Sequence, residues 1–494
     1  MKKYFTLILL VIASTITAQQ TNIFWSRDFW KPTTTIADVV QKVKEGNDAT
    51  ALSSSNFDAT VNAILADASD DVIKHLLSYD GNDVNKITHD GRTYLFWAGL
   101  KGNLTIMKHL ISNGAKTDIL DDKGSTVLLF AAGGGQTNPE LYNLLLANGA
   151  TINETNPKGA NALHQLIGRA KNLKELDYFT NKGLDLNSKD KLGHNAIDYA
   201  AKTGNKEIIE QLIKKGVSYK DTNSDGSNAI LIASIGGRGS GNSLEFFKYL
   251  KGLGIEANIS DKQGVNPMHY LAYKNKDVAI FDYFSENGIP ITKADNEGNT
   301  PLMNAAYSND LAIVKYFVDK SEHINAKNEF GKTALTNAVR QNSFEVVEFL
   351  INNGAAINII DENGNNLAFY SVDSYSKRNE KSFNQKWDLL TKKQLNFTHI
   401  QKQGNNLYHL AAIKNSMSIL DKIAKHKLDI NAKNNDGLTP LHRAIMTAKN
   451  VEIIKHLIAL GAKTSILTDF EESSYDLALE NELLDKNSIE FLKL

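Results

Sequence analysis

Histidine is the residue type in this chain that could do the most chemistry. There are twelve histidines and no cysteine, so disulfides and thiolate metal sites are excluded. Neither a His-Glu-x-x-His helix for zinc nor a serine, histidine and acid arrangement for nucleophilic catalysis is present. Four of the histidines stand at one position of a recurring motif, namely His164, His269, His409 and His442. This recurrence favours a structural role over metal binding or catalysis.

Two loop sequences resemble ligand-binding motifs but lack their essential residues. Gly236–Gly241 reads Gly-Gly-Arg-Gly-Ser-Gly, whereas a phosphate-binding P-loop needs Gly-Lys-Ser or Gly-Lys-Thr between a strand and a helix. Asp361–Gly364 reads Asp-Glu-Asn-Gly without the twelve-residue ligand pattern of a calcium loop. The sequence therefore predicts a protein that is not an enzyme, with no catalytic, metal-binding or cofactor-binding residue. A small-ligand or catalytic role for the glycine-rich insertions is the weaker alternative.

Composition and charge favour a folded chain that does not bind nucleic acid. Of 494 residues, 42% are hydrophobic and 22% are charged, and the formal net charge is −1. These values are ordinary for a globular protein, and they lack the clustered positive charge that phosphates demand. The length exceeds the 250 to 300 residues at which single cores stop growing, so either several domains or a repeat array is expected.

The N-terminus has the layout of a secretory signal peptide. Lys2 and Lys3 precede an apolar run, Tyr4–Ala13, and small polar residues follow as far as Ala18. The run is shorter than the roughly 20 residues of a membrane-spanning helix, which makes a membrane anchor the weaker interpretation. We predict cleavage near Ala18 and a periplasmic or secreted protein, without membrane insertion after cleavage.

A turn motif ending in glycine recurs along most of the chain. Its spacing is 33 to 40 residues, a period typical of solenoids, and the glycines are Gly91, Gly124, Gly159, Gly193, Gly226, Gly264, Gly298, Gly331, Gly364, Gly404 and Gly437. One further turn has Glu471 at the glycine position. Upstream, Phe57 stands at the turn position of a degenerate unit.

Each unit predicts two helices. In the clearest copy, Thr439 can cap the first helix and Pro440 suits its first position. Elsewhere Asn takes the place of Thr, and Asn caps a helix as well as Thr does. The second helix, Val451–Ile458, has amphipathic spacing and is followed by Gly461.

These units resemble the ankyrin repeat, most closely at Thr439–Ala444 and Thr300–Ala305, where Thr-Pro-Leu is followed by Ala. The resemblance covers about residues 56–494. It implies an all-α ankyrin solenoid of stacked helix-turn-helix units with short β-hairpin-like tips and a capping unit at each end. It also implies that the recurring histidines support the turns through hydrogen bonds.

Three units carry extra residues after their first helix, at Gly133–Gln136, Gly236–Gly241 and Ser371–Lys386, which we predict to be loops. The predicted organisation is a signal peptide at 1–18, an N-terminal helical cap with a degenerate repeat at 28–87, repeats at 88–120, 121–155, 156–189, 190–222, 223–260, 261–294, 295–327, 328–360, 361–400, 401–433 and 434–467, and a C-terminal capping repeat at 468–494. The repeats at 223–260 and 361–400 contain insertions.

Ankyrin proteins generally bind partners on the concave surface formed by hairpin tips and first helices, and the resemblance implies such a surface here. Large side chains at exposed positions there are the candidate binding residues. They are Leu192, Phe330 and Leu438 at tips, and Tyr273, Tyr307, Arg340 and Met446 at the ends of first helices. We therefore predict a monomeric scaffold or inhibitor that binds a protein partner. The alternative is a secreted effector that acts on another cell.

Overall fold

The computed structural model describes residues 22–237 and 241–493. The predicted signal peptide lies outside them, as do residues 238–240 of the glycine-rich insertion. The chain divides after Tyr219 into two compact parts, which we call the N-terminal half and the C-terminal half. The regular structure in the described residues is helical, and none of these helices is both long and apolar enough to span a bilayer.

The helices of the N-terminal half are α1 Ile36–Lys44, α2 Ala59–Leu65, α3 Asp70–Leu77, α4 Tyr94–Lys101, α5 Leu104–Ser112, α6 Val127–Gly133, α7 Pro139–Ala147, α8 Ala162–Ile167, α9 Asp177–Asn181, α10 Ala196–Lys202 and α11 Lys206–Lys214. Short 3-10 helices lie at Ile23–Trp25, His89–Gly91 and Leu173–Leu176. From α2 onward the helices alternate between the first and the second helix of successive repeats.

The same alternation continues in the C-terminal half. Its helices are α12 Ala229–Ile235, α13 Leu244–Gly252, α14 Pro267–Ala272, α15 Val278–Glu286, α16 Pro301–Ser308, α17 Leu311–Asp319, α18 Ala334–Gln341, α19 Phe344–Asn352, α20 Leu367–Asp373, α21 Glu380–Lys392, α22 Leu407–Ile413, α23 Met417–Ile423, α24 Pro440–Thr447, α25 Glu452–Ala459 and α26 Ser474–Glu480. Further 3-10 helices lie at Lys377–Asn379, Lys402–Gly404, Ala424–His426, Lys486–Ser488 and Glu490–Leu492.

Capping residues begin the first helices as predicted. The Thr439 hydroxyl accepts a hydrogen bond from the His442 N–H, and Pro440 occupies the first position of α24. The Asn195 side chain likewise accepts the N–H groups of Ile197 and Asp198. Each cap satisfies N–H groups that have no partner within the helix.

The repeats are connected by hairpin-like tips. In the tip at 328–332, the N–H of Asn328 donates to the carbonyl of Lys332 at 3.0 Å. Gly331 has a φ of +71°, and a side chain there would bring Cβ within 2.9 Å of the Cα of Asp361 in the next tip. Consecutive tips also share a backbone hydrogen bond, such as that from the Glu329 N–H to the Glu297 carbonyl at 2.8 Å. Glycine is therefore required by both the turn and the close approach of the next tip.

Two tips have another residue at the glycine position. Glu471 has a φ of +62°, which confirms its predicted place in the C-terminal unit. The prediction for Phe57 is wrong by one residue, because Asn56 has the positive φ of 58°. The tip is closed by the N–H of Ser53, which donates to the carbonyl of Phe57. Asn tolerates this left-handed conformation better than most residues.

Apolar side chains of both the first and the second helices form the core. Val346, Val347 and Leu350 of α19 are fully buried. Aromatic rings extend the core from repeat to repeat, with Phe247 and Phe284 at a centroid distance of 5.1 Å. The apolar residues that the amphipathic spacing places on one side of the helix therefore form the face by which each repeat packs on its neighbours.

The insertion predicted as a loop at Ser371–Lys386 is largely helical, so this prediction is wrong. Its first residues complete α20, and its last residues belong to α21. The side chains of Phe383, Trp387 and Leu390 are buried, and their spacing of four and three residues places them on one face of α21. The extra residues thus lengthen the second helix of this repeat.

Candidate protein-binding surface

The structure leaves most of the seven candidate residues accessible. The exposed fraction is 40% for Tyr273, 44% for Phe330, 42% for Leu192 and 48% for Met446. Arg340 is exposed and Tyr307 is half-buried. Leu192 belongs to the N-terminal half, whereas the other six residues belong to the C-terminal half.

Leu438 is buried, with an exposed fraction of 9%, so its prediction as an exposed tip residue is wrong. It follows the tip glycine, and its N–H donates to the Asn434 side chain at 3.0 Å. Its carbonyl lies 3.0 Å from Nε2 of His409. These bonds hold Leu438 inside the structure, whereas Leu192 and Phe330 precede their glycines and are exposed.

Six residues occupy equivalent positions at the ends of consecutive first helices, seven residues after the capping residue. This helix-end row consists of Tyr273, Tyr307, Arg340, Asp373, Ile413 and Met446. The rings of Tyr273 and Tyr307 are nearly perpendicular, with centroids 6.1 Å apart. Further along, the carboxylate of Asp373 lies 3.7 Å from the Arg340 guanidinium and 3.6 Å from the Lys414 amine. The row brings aromatic and charged side chains of consecutive repeats together.

Lys332 lies close to two aromatic rings, those of Phe330 and Tyr370. The Lys332 amine lies 5.7 Å from the ring centroid of Phe330 and 5.9 Å from that of Tyr370, both within the range of cation–π attraction. The Tyr370 hydroxyl donates a hydrogen bond to Asp361. We call Tyr273, Tyr307, Phe330, Lys332 and Arg340 the aromatic surface; Tyr370 is buried, with an exposed fraction of 4%.

Burial shifts the pKa of Tyr273 and that of Tyr370 in the same direction. It raises the pKa of Tyr273, and the nearby Asp295 carboxylate raises it further. The pKa of Tyr370 is raised by burial and by its bond to Asp361. Both phenols therefore remain neutral at physiological pH.

Sequence reasoning missed several exposed apolar residues. Ile413 lies in the helix-end row and is 41% exposed. Phe470 is 82% exposed and precedes Glu471 as Phe330 precedes Gly331. Its tip position was the signal that could have identified it. Lys332 and Tyr370 had no such signal, because the contact between them joins two repeats.

The four recurring histidines make the same two hydrogen bonds. In each, Nδ1 accepts the N–H of the capping residue three positions earlier, at 3.1 to 3.2 Å. Nε2 lies 2.9 to 3.0 Å from a backbone carbonyl 24 to 30 residues further along the chain, within or just before the next tip. Burial lowers the pKa of all four, that of His409 to about 4. These neutral rings therefore hold the start of a first helix to the chain at the next tip, a structural role as the recurrence predicted.

Comparison with known proteins matches several parts of the chain to one kind of family, the ankyrin repeats. A family of ankyrin repeats in three copies matches residues 60–156, 135–223 and 230–328, which is more than half of the chain. Two further ankyrin-repeat families match residues 408–458 and 323–369.

Individual relatives match parts of the chain. The ankyrin-repeat protein FPV031 of Fowlpox virus is 35% identical over 71 residues, covering 14% of this chain and 21% of its own length. FPV022 of the same virus is 25% identical over 271 residues, covering 43% of this chain and 44% of its own length. The chain thus spans less than half the length of either relative. The ankyrin-repeat domain of human ASB11 has a TM-score of 0.39 at 19% identity, covering 47% of this chain and 99% of that domain. By the extent of the family match, the chain belongs to the ankyrin-repeat family.

Proposed function

We propose that the protein is an exported scaffold or inhibitor that binds a protein partner on the aromatic surface. Ankyrin repeats form protein–protein interaction scaffolds. The observation that carries the proposal is that Tyr273, Tyr307, Phe330 and Arg340 come from three consecutive repeats and remain accessible. Tyrosine and arginine are among the residues that dominate binding energy at interfaces.

Packing between repeats covers only part of these side chains. Within the same helix-end segment, Leu271 is 2% exposed and Ala272 is fully buried, whereas Tyr273 is 40% exposed. The apolar ring area left in solvent would stabilise a complex when a partner covers it, by about 25 cal/mol for each Å² removed from water. A non-enzymatic role fits the recurring histidines, whose two ring nitrogens are both engaged with the backbone; in His409, Nδ1 accepts the N–H of Asn406 and Nε2 lies 3.0 Å from the Leu438 carbonyl.

The proposal includes export. The signal-peptide layout of residues 1–18 supports a periplasmic or secreted location. A chain without cysteine also folds without disulfides in an oxidising compartment. We propose a monomer that acts on a partner in the envelope. Action on another cell as a secreted effector is the alternative.

Photo-crosslinking in living cells followed by fractionation tests both the surface and the location. p-Benzoylphenylalanine replaces Tyr307 in one variant and Met417 in the other. Met417 is a suitable control because it is 42% exposed but begins a second helix, α23. We expect an adduct of one defined mass from position 307 and none from position 417.

The fraction that contains the adduct distinguishes the locations. An adduct in the periplasmic fraction supports an envelope scaffold or inhibitor, and one that forms only with a second cell type supports the effector. Retention of the protein in the cytoplasm contradicts export. Equal labelling from both positions, or none from 307, contradicts the proposed surface.

A further inference from the structure

Two cationic side chains share one carboxylate in the middle of the helix-end row. Nη2 of Arg340 lies 3.7 Å from one carboxylate oxygen of Asp373, and Nζ of Lys414 lies 3.6 Å from the other. The three residues stand at the ends of consecutive first helices, α18, α20 and α22. We call them the charged cluster. With two positive charges and one negative charge, the cluster has an excess of one positive charge.

Most hydrogen-bond donors of the two cations are unused. Neither contact with the Asp373 carboxylate is short enough for a hydrogen bond. The Lys414 amine donates instead to the backbone carbonyl of Asp373. The Arg340 guanidinium has five N–H donors, and it donates to none of the residues that the structure describes. By comparison, the Lys320 amine lies 2.7 Å from the Asp282 carboxylate in a close ion pair. The cluster can therefore donate to a further carboxylate.

The fold itself does not require charge at these positions. The first helices α16 and α24 carry the uncharged residues Tyr307 and Met446 in the same row, and they have the same threonine caps. Arg340 and Lys414 are exposed, and exposed ion pairs contribute little to stability. Arg340 also belongs to the aromatic surface, so the charged cluster is continuous with the surface that we propose for the partner.

We propose that Arg340 and Lys414 bind the carboxylate of a glutamate or aspartate of the protein partner. This inference rests on the proposed function and specifies the chemistry of the partner. A second carboxylate beside that of Asp373 balances the two cations, and a guanidinium can donate two parallel hydrogen bonds to it. Nucleic acid fits less well, because its phosphates require more extensive positive charge than a chain of net charge −1 offers.

Synthetic peptides test this chemistry on the full chain. The probe is acetyl-(Gly-Glu-Ser)₄-amide, and the matched peptides carry glutamine or lysine in place of glutamate. Isothermal titration calorimetry should give an affinity at least about fivefold higher for the glutamate peptide than for the glutamine peptide, because charge-assisted hydrogen bonds are about twice as strong as neutral ones. The difference should diminish as the salt concentration increases, since the cluster is open to solvent.

Two variants with opposite expected effects localise the binding. Arg340→Gln removes one cation, and we expect the affinity for the glutamate peptide to fall about fivefold. Asp373→Asn removes the competing carboxylate, and we expect the affinity to rise about threefold. Arg169→Gln and Asp118→Asn change the net charge equally at exposed positions of the N-terminal half and should leave the affinity unchanged. Asp373→Asn keeps the test decisive if Arg340→Gln is poorly folded, because a purely structural ion pair would not give tighter binding when it is removed.

Each outcome decides the inference. Equal affinity for the glutamate and glutamine peptides, or tighter binding of the lysine peptide, overturns it. So does equal weakening by Arg340→Gln and Arg169→Gln, or an affinity that Asp373→Asn fails to raise. Tighter binding of a thymidine oligonucleotide than of the glutamate peptide would indicate a nucleic-acid site and also overturns it. If no peptide binds, the inference fails. In that case, a specific photo-crosslink from position 307 keeps the proposed function, and the absence of any crosslink removes both.

Discussion

At the scale of single residues, the recurring histidines show what a sequence can and cannot specify. Their occurrence at one repeat position predicted a structural role, and the structure confirms it. The sequence could not identify the bond acceptors, because these carbonyls lie 24 to 30 residues further along the chain. His409 Nε2, for example, lies 3.0 Å from the carbonyl of Leu438, and only the stacked structure brings the two together.

The lowered pKa of His409 predicts sensitivity to acid. Its pKa is about 4 in the folded protein, against an ordinary value of 6.5, because burial disfavours the imidazolium. The unfolded chain therefore binds more protons between these values. The stability that His409 contributes is complete above pH 6.5 and is lost as the pH falls towards 4. This difference between the folded and unfolded pKa corresponds to about 3 kcal/mol in the free energy of unfolding.

Urea denaturation of wild type and His409→Gln at pH 7 and pH 4.5 measures this effect. The variant should lose less stability on acidification than wild type. His323→Gln is the control, because His323 is exposed. Identical acid sensitivity in wild type and His409→Gln would show that the ring does not titrate as described.

The candidate binding residues were predictable where repeat position alone decides exposure. Tyr273 and Phe330 are accessible because the ends of first helices and the residues before tip glycines face solvent. Leu438 was predicted wrongly because the residue after the glycine returns to the core side of the hairpin. The contact of Lys332 with Tyr370 was not predictable from local spacing, since it joins a tip of one repeat to the first helix of the next.

At the scale of elements, local signals predicted the caps and turns correctly. A capping residue acts within one helical turn, and a positive φ is a property of one residue. Helix α21 was missed because its repeat is lengthened and no regular spacing marks its start. Its apolar face also contains a lysine, Lys386, at the position that Val346 holds in α19 and Ile419 holds in α23.

The burial of Lys386 on helix α21 reduces the stability of the C-terminal half. Its side chain is buried, with the amine donating to the Val339 carbonyl at 3.1 Å, and burial lowers its pKa to about 8 from 10.5. The unfolded chain binds more protons between pH 8 and 10.5, so stability should rise across this interval. Lys386→Met should raise the stability at pH 7 by up to about 3 kcal/mol, the equivalent of the pKa difference.

Urea midpoints at pH 7 and across the alkaline interval measure the effect. Lys386→Met should have a higher midpoint at pH 7 than wild type and a smaller rise above pH 8. Lys392→Met is the control, because Lys392 is exposed on the same helix. A midpoint no higher for Lys386→Met than for Lys392→Met would contradict the assignment of a costly buried lysine.

At the scale of the whole molecule, the periodic glycines predicted the family, the helical class and the approximate phase of the repeats. These features could be predicted because most repeats carry the same kinds of turn and capping residues. The exact repeat boundaries, which follow from the positions of the glycines, remain predictions. Export also remains a proposal, because it depends on residues 1–18. The partner could not be predicted from the repeat pattern, since the residues that bind it are those in which repeats differ.

The central claim is that the aromatic surface of the C-terminal half binds a protein partner. Its most direct test is the affinity of the partner captured by photo-crosslinking, measured with wild type and with Tyr273→Ala, Tyr307→Ala, Phe330→Ala combined. Truncating central interface residues commonly costs 2 kcal/mol or more each. We predict at least about a hundredfold weaker binding by the folded triple variant, and no change for the control Phe491→Ala. Unchanged affinity in a folded triple variant would contradict the account.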